Sequence, residues 1–157
     1  MRIIKLGLLS AFFLFLVWTL LSLLIPSNVR ISKATNIAAA PAEVWTLVRD
    51  SSQWRRWHPW FSDSSTEMAK AVRFRWEERS DSLARVTLTH PGVRDLHNGF
   101  RLYQYPNSDS LTLQWYIDFH LRWYPWEKFS SLFFESSYGN TMQAGLERIK
   151  SEAKRED

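Results

Sequence analysis

The chain contains no cysteine, and it has only five glycines in 157 residues. Without a thiol it can form no disulfide, thiolate nucleophile or cysteine-based zinc site. The short motifs of P-loop, nucleophile-elbow, dinucleotide-binding and metalloprotease enzymes are also missing from the sequence. We therefore expect no catalytic residue, no metal site and no cofactor, although an enzyme of an unusual kind stays open.

The charge balance is weak. Lys and Arg number 20 against 16 Asp and Glu, which gives a net charge of +4. Half of that excess comes from Arg2 and Lys5, which precede the first apolar run. So small an excess does not indicate a nucleic-acid partner, and it leaves the oligomeric state open.

The first long apolar run predicts a membrane segment. No charged residue occurs from Leu6 to Val29, and Pro26 ends the densest part of the run. About 20 apolar residues in a helix span a hydrocarbon core of about 30 Å. The alternative is a cleaved signal peptide, whose apolar region is usually shorter, with Ala38-Ala39-Ala40 resembling a distant cleavage site. We predict an uncleaved anchor over residues 1–27 and a folded domain over 28–157.

The orientation of that anchor is weakly determined by its flanking charges. Arg2, Lys5 and the terminal amine lie before the span, and Arg30 and Lys33 follow it. The positive-inside rule slightly favours an N-terminus inside the cell. The sequence thus predicts a single-pass membrane protein whose domain faces outside the cytoplasm.

Period-two alternation predicts an antiparallel sheet. Apolar and polar residues alternate without a break from Leu111 to Trp123, as in a long strand with one apolar face. Shorter runs predict strands over 72–76, 84–88 and 96–102, and Asn28–Ile37 is a further candidate. A polar loop is expected to run to about Ala69, and a turn over 106–109. Consecutive strands joined by short turns indicate a meander.

Helices are predicted on both sides of these strands. Pro41 occupies the favoured first position of one helix, and Gln53–Trp57 fits a second, short one. A long helix is expected after Pro125, with an apolar stripe formed by Phe134, Tyr138, Met142, Leu146 and Ile149. Trp126, Phe129 and Phe133 lie on a different face. Either its first turns are buried on more than one side, or the helix breaks near Ser136-Ser137.

The titratable residues form no recognisable site. Asp118 and His120 share one face of the long strand, the polar one, where we expect them to be solvated. His58, His90 and His97 lie beside turn residues and are expected to be surface or structural residues.

Aromatic residues are abundant: nine Trp, ten Phe and five Tyr. So many rings need a large core or a cavity to line. Trp54, Trp57, Trp60 and Phe61 cluster around the short helix, and other rings lie on the apolar strand faces. Most of these rings must serve the core, and the rest could line a cleft for a small molecule.

Two segments resemble the START-like superfamily of polyketide cyclases, dehydrases and lipid-transport proteins. In Thr35–Phe61 the resemblance is carried by Pro41, Val44, Trp45, Asp50, Trp54, Trp57, Pro59 and Trp60. Near the C-terminus it is carried by Gly139, Gly145, Leu146, Ile149 and Lys150. An N-terminal membrane helix is similar to that of many bacterial members. The resemblance implies an α+β helix-grip fold, a curved antiparallel sheet around a long C-terminal helix with a cavity between them.

The expected function is that of a membrane-tethered binding module for a hydrophobic small molecule or lipid. Its ligand would lie in an aromatic-lined cleft between sheet and helix, against Trp57, Trp60, Trp76, Phe100, Trp115, Phe119, Phe134, Tyr138 and Met142. Two alternatives remain. One is a cyclase-like or hydrolase-like enzyme, for which Asn98 and Gln104 are the inward-facing polar residues. The other is a protein-interaction module without a small-molecule ligand.

Overall fold

A computed structural model of the chain describes residues 2–62, 71–106, 108 and 110–154. Helix α1 (Arg2–Ser22) precedes strand β1 (Asn28–Ile37), helix α2 (Pro41–Arg49), a 3-10 turn (Ser51–Gln53) and helix α3 (Trp54–Trp57). Strands β2 (Arg73–Arg79), β3 (Leu83–Thr89), β4 (Leu96–Gln104) and β5 (Leu111–His120) follow. Helix α4 (Pro125–Ser130), a 3-10 turn (Ser131–Phe133) and helix α5 (Phe134–Ala153) come next. Most of the predicted polar loop, and Asn107 and Asp109 of the predicted turn, lie outside the described residues.

The five strands form one sheet in the order β1-β5-β4-β3-β2. The pairs β2–β3, β3–β4 and β4–β5 are antiparallel, which confirms the predicted meander. Strand β1, the first in the chain, lies beside β5 at one edge. Strand β5 ends at His120, three residues earlier than predicted. Beyond it the backbone N–H of Arg122 donates to Glu127 Oε2 at 2.8 Å, so the backbone there forms a turn into α4.

One face of the sheet is apolar and the other is polar. Buried apolar side chains from β3, β4 and β5 share the inner face: Ala84, Val86, Leu88, Phe100, Leu102, Leu111, Leu113, Trp115, Ile117 and Phe119. On the outer face, Arg30 pairs with Asp118 at 2.6 Å and Gln114 donates to Ser32 at 2.7 Å. The predicted placement of Asp118 on the polar face is therefore confirmed.

Both predicted proline starts are confirmed, because Pro41 and Pro125 occupy the first turns of α2 and α4. Of the two alternatives for the start of the long helix, a break near Ser136-Ser137 is wrong, since α5 runs unbroken through both serines. The interruption is the 3-10 turn Ser131–Phe133. There the hydroxyls of Ser130 and Ser131 donate back to carbonyls three residues earlier, at 2.8 and 2.7 Å. Such back-bonding competes with the regular helical ladder.

The chain divides into two compact units. The larger comprises Arg30–Asp118 and Glu135–Asp157, and it holds most of the buried apolar residues. The smaller comprises Met1–Val29 and Phe119–Phe134. Within the smaller unit, α1 is long and apolar enough to cross a membrane, a property that signal sequences and buried core helices share. The division at residues 27 and 28 remains a prediction.

Candidate ligand-binding site in the aromatic cluster

Seven rings of the larger unit pack into what we call the aromatic cluster: Trp54, Trp57, His58, Phe61, Phe74, Phe100 and Trp115. Trp54 lies at its centre, with its ring centroid 5.1 Å from those of Trp57, His58 and Phe74. Trp115 approaches Trp57 at 5.6 Å and Phe100 at 5.5 Å. Most pairs are tilted or edge-on, the geometries that aromatic quadrupoles favour. The cluster is therefore closely packed.

Helix α3 and the sheet bring these rings together. Helix α3 supplies Trp54 and Trp57, which share one helix face because they are three residues apart, and His58 and Phe61 follow in the turn after it. The sheet contributes Phe100 and Trp115, which are directly opposed on β4 and β5. The Trp-x-x-Trp-His spacing thus puts α3 against the inner face of the sheet.

The indole N–H groups of the cluster all have acceptors. Trp54 donates to the Val48 carbonyl at 2.7 Å, and Trp57 donates to the Leu47 carbonyl at 2.8 Å. Both carbonyls belong to the last turn of α2. Trp115 donates to Asn98 Oδ1 at 2.9 Å, so the one buried amide of β4 is already engaged. These bonds fix the orientations of the three indoles and satisfy polar groups that burial would otherwise penalise.

His58 is wholly buried within the cluster and stacks on Trp54 with an interplanar angle of 6°. Its Nδ1 accepts the backbone N–H of Trp60 at 3.3 Å, and its Nε2 has no hydrogen-bond partner among the described residues. Burial lowers the pKa of His58 from 6.5 to about 3. A neutral imidazole of such low basicity acts here as a flat packing ring beside the Trp and Phe rings and not as a proton acceptor.

Helix α5 covers the cluster from the other side. Met142 is fully buried, and a Cβ added at Gly145 would lie 2.8 Å from Trp115 Cζ3 and 3.3 Å from Pro59 Cδ. A glycine at this position lets the helix backbone approach the indole directly. Beside Gly145, the space between α5 and the Trp115 ring is therefore filled.

Half-buried rings form the edge of the cluster. Trp60 and Tyr138 meet edge-on with their centroids 5.9 Å apart, and they connect the turn after α3 to α5. Trp76 of β2 lies 6.2 Å from Trp54, with the Arg79 guanidinium 4.3 Å above its ring. These three rings at the edge, and Phe74 of the cluster itself, are half-buried and within reach of solvent.

The nine predicted contact residues fall into two groups. Seven belong to the larger unit: Trp57, Trp60, Trp76, Phe100, Trp115, Tyr138 and Met142. Phe119 and Phe134 belong to the smaller unit, with their rings 4.5 Å apart. Sequence reasoning left Trp54 and His58 out of the site, although the two lie close to Trp57 and Trp60 in the sequence. Whether any of the nine touches a ligand remains a prediction.

The larger unit also has an open cleft of about 610 Å³ beside α2. Its lining comprises Pro41, Ala42, Trp45, Thr46, Arg49, Asp50, Asp81, Leu102 and Gln104. Trp45 donates its indole N–H to the Asp81 carbonyl at 2.9 Å, and the Arg49 guanidinium lies 4.3 Å over the Trp45 ring. No sequence pattern marked this cleft, because α2 and the β2–β3 turn meet there only through the fold.

No protein-family model and no curated protein matches the chain. Solved structures do. A START superfamily protein from Mycobacterium smegmatis matches with a TM-score of 0.55 at 12% identity, over 82% of this chain and 99% of that one. The Zhui aromatase/cyclase from Streptomyces sp. R1128 matches with a TM-score of 0.51 at 15% identity, over 82% and 94%. A protein of unknown function from Staphylococcus aureus reaches 0.61 at 8% identity, over 82% and 95%.

The fold is START-like. The curved five-stranded antiparallel sheet and the long C-terminal helix of this chain are the elements that the resemblance implied. At such low identity the likeness shows the fold alone, since one START-like scaffold can carry different functions.

Proposed function

We propose that the chain is a membrane-tethered module that binds a hydrophobic small molecule or lipid. The observation that supports this most is the aromatic cluster itself, which lies between the sheet and α5 of a START-like fold. Large rings with satisfied indole groups offer an apolar wall with few free polar atoms, which is the usual character of a site for hydrophobic ligands.

In this proposal the ligand contacts the half-buried edge of the cluster. Trp60, Trp76 and Tyr138 are within reach of solvent, whereas Trp57, Phe100 and Trp115 are fully buried and form the wall behind them. Displacing the Trp60–Tyr138 pair gives a ligand access to that wall without moving the rings that hold the core together. Met142, which is fully buried, completes the proposed contacts within the larger unit.

Binding is better supported than catalysis. The amide oxygen of Asn98 accepts the indole N–H of Trp115. The pKa of His58, lowered to about 3 by burial, makes its imidazole a poor general base near neutral pH. The two polar side chains buried in the cluster thus serve its packing.

The tether is proposed from α1. Its 21 residues from Arg2 to Ser22 are long and apolar enough to cross a bilayer, and its residues from Arg2 to Leu16 are exposed. A domain held at a membrane stays close to a supply of hydrophobic ligand.

Native mass spectrometry of the full chain, released from detergent micelles, tests the proposal. We expect one hydrophobic molecule per chain on the wild type, and at least a tenfold loss of occupancy in Tyr138→Ala. Thr112→Ala, which changes a hydroxyl on the outer face of the sheet, is the matched control and should retain the molecule. A wild-type chain that carries no molecule under these conditions would contradict the proposal.

A further variant locates the ligand. Thr46→Trp places a bulky ring at the wall of the cleft beside α2. We expect this variant to keep the ligand. Loss from Thr46→Trp together with retention by Tyr138→Ala would move the binding site from the aromatic cluster to the cleft.

A further inference from the structure

The smaller unit carries a group of exposed apolar side chains around α4, which we call the interfacial patch. It comprises Trp123, Trp126, Leu132 and Phe133, whose exposed fractions are 62%, 54%, 64% and 68%. The predicted second stripe of Trp126, Phe129 and Phe133 contributes to it. Large apolar groups gathered on one short segment usually mark an interaction surface.

The segment is attached to the carboxyl end of α1. Lys128 of α4 is only 3% exposed, and its Nζ donates to the Ile25 carbonyl at 2.7 Å and to Ser27 Oγ at 2.9 Å. The backbone N–H of Leu121 donates to the Ser27 carbonyl at 2.7 Å. The positive charge of Lys128 also interacts favourably with the negative end of the α1 helix dipole, because the Ile25 carbonyl lies just past the carboxyl end of that helix. The start and the middle of the segment are therefore held to the residues that follow α1.

A ring contact sets the level of α4 along α1. The centroids of Phe129 and Trp18 are 5.9 Å apart. Trp18 lies four residues before Ser22, the last residue of α1, and four residues of helix rise about 6 Å. Phe129 thus lies beside the last turns of the apolar helix and not beyond its end.

The chemistry of the patch suits the boundary between lipid and water. The rings of Trp123, Tyr124 and Trp126 follow one another, with centroids 4.9 and 4.8 Å apart, and the Arg122 guanidinium lies 5.9 Å above the Tyr124 ring. Trp and Tyr concentrate at bilayer interfaces, where the ring is in apolar surroundings and its polar atom meets water. An arginine can extend its charged end towards the head groups from the same place.

We propose that the interfacial patch inserts into the head-group boundary of the bilayer that α1 crosses, so that α4 lies in the membrane interface. This inference rests on the tether of the proposed function. The occupant is lipid because the patch continues the exposed apolar surface of α1, to which Phe129 and Lys128 attach it. In this arrangement the exposed residues of the second apolar stripe contact lipid, and the 3-10 turn Ser131–Phe133 follows the end of α4.

Spin labels on single introduced cysteines can measure the depth of each position, since the natural chain has no cysteine. The full chain is placed in phosphatidylcholine bilayers with a label at Trp126→Cys, Leu132→Cys, Leu14→Cys or Val93→Cys. Leu14 lies within α1, and Val93 is an exposed apolar residue of the larger unit. Collision with oxygen and with a water-soluble nickel complex gives each depth, and unfolding midpoints verify that each variant is folded.

We expect labels at Trp126 and Leu132 to collide with oxygen more than with nickel, at a depth between those of Leu14 and Val93. If Leu14 lies in the bilayer while Trp126 and Leu132 are as accessible to nickel as Val93, the inference is wrong and the tether stands. If the Leu14 label is itself in water, the tether fails and the inference fails with it. Dipolar broadening between labels at Trp126→Cys, seen even when the protein is highly diluted in lipid, would show that the patch contacts a second copy of the chain. That result would also overturn the inference.

Discussion

His58 gives a stability prediction that can be worked from the structure. Its imidazole is fully buried among Trp54, Trp57, Phe61 and Trp115, and burial lowers its pKa to about 3. In the unfolded chain the same group titrates near 6.5. Between these two values the unfolded state binds a proton that the folded state does not, so the free energy of unfolding falls as the pH falls.

The size of this effect follows from linkage. A full proton difference changes the free energy of unfolding by about 1.4 kcal/mol per pH unit. For a chain of this length about 1 kcal/mol shifts the unfolding midpoint by about 2–4 °C. We therefore expect His58 to contribute a fall of about 3–6 °C per pH unit once the pH is well below 6.5.

The perturbation is His58→Phe, which keeps a flat ring in the stack and cannot be protonated. The variant loses the long hydrogen bond from Trp60 N–H, so at pH 7.5 we expect its stability to be within about 1 kcal/mol of wild type. The assay follows near-ultraviolet circular dichroism of both full chains in the same lipid nanodiscs between pH 7.5 and 4.5. Wild type should lose stability relative to the variant as the pH falls. Parallel midpoint curves would refute a buried, neutral His58.

Two further predictions concern packing on the inner face. Trp115→Ala should lower the free energy of unfolding by about 3–5 kcal/mol because it leaves a cavity beside Trp57 and Phe100. Thr112→Ala on the outer face should cost less than about 1 kcal/mol. Equal losses in chemical denaturation would contradict the assignment of faces. Gly145→Ala should destabilise by about 1–3 kcal/mol because its Cβ would press on Trp115. Gly139→Ala should instead raise the free energy of unfolding by up to about 1 kcal/mol through its higher helix propensity, since its Cβ would meet the flexible end of Lys33 at 3.0 Å. A loss of stability in both glycine variants would argue against close packing specific to Gly145.

Much of the fold was predictable because local periodicity specifies it. The alternation from Leu111 onwards gave β5, and prolines at the first helical positions gave the starts of α2 and α4. The end of β5 was not predictable from alternation, since Trp123 keeps the pattern while the backbone at Arg122 bonds to Glu127. Hydrogen bonds between a side chain and the backbone decided that boundary.

The site was less predictable than the fold. Sequence reasoning identified the rings of the cluster but could not say how closely they pack, because that depends on the approach of α5 at Gly145 and on the position of α3. It treated His58 as a surface or structural residue, and the structure places it wholly inside. The cleft beside α2 depends on the meeting of Trp45 with Asp81, residues that no local pattern connects.

The most direct test of ligand binding uses the indole N–H groups as reporters. In the wild-type chain Trp115 bonds to Asn98 inside the cluster, whereas Trp45 bonds to Asp81 beside the cleft. Nitrogen-15 spectra of the delipidated full chain are recorded as a solvent extract of the purified protein is added back. The proposal predicts saturable shifts of the Trp60 and Trp115 indole signals with Trp45 unchanged. Shifts confined to Trp45, or no saturable shift at any indole, would contradict binding at the aromatic cluster.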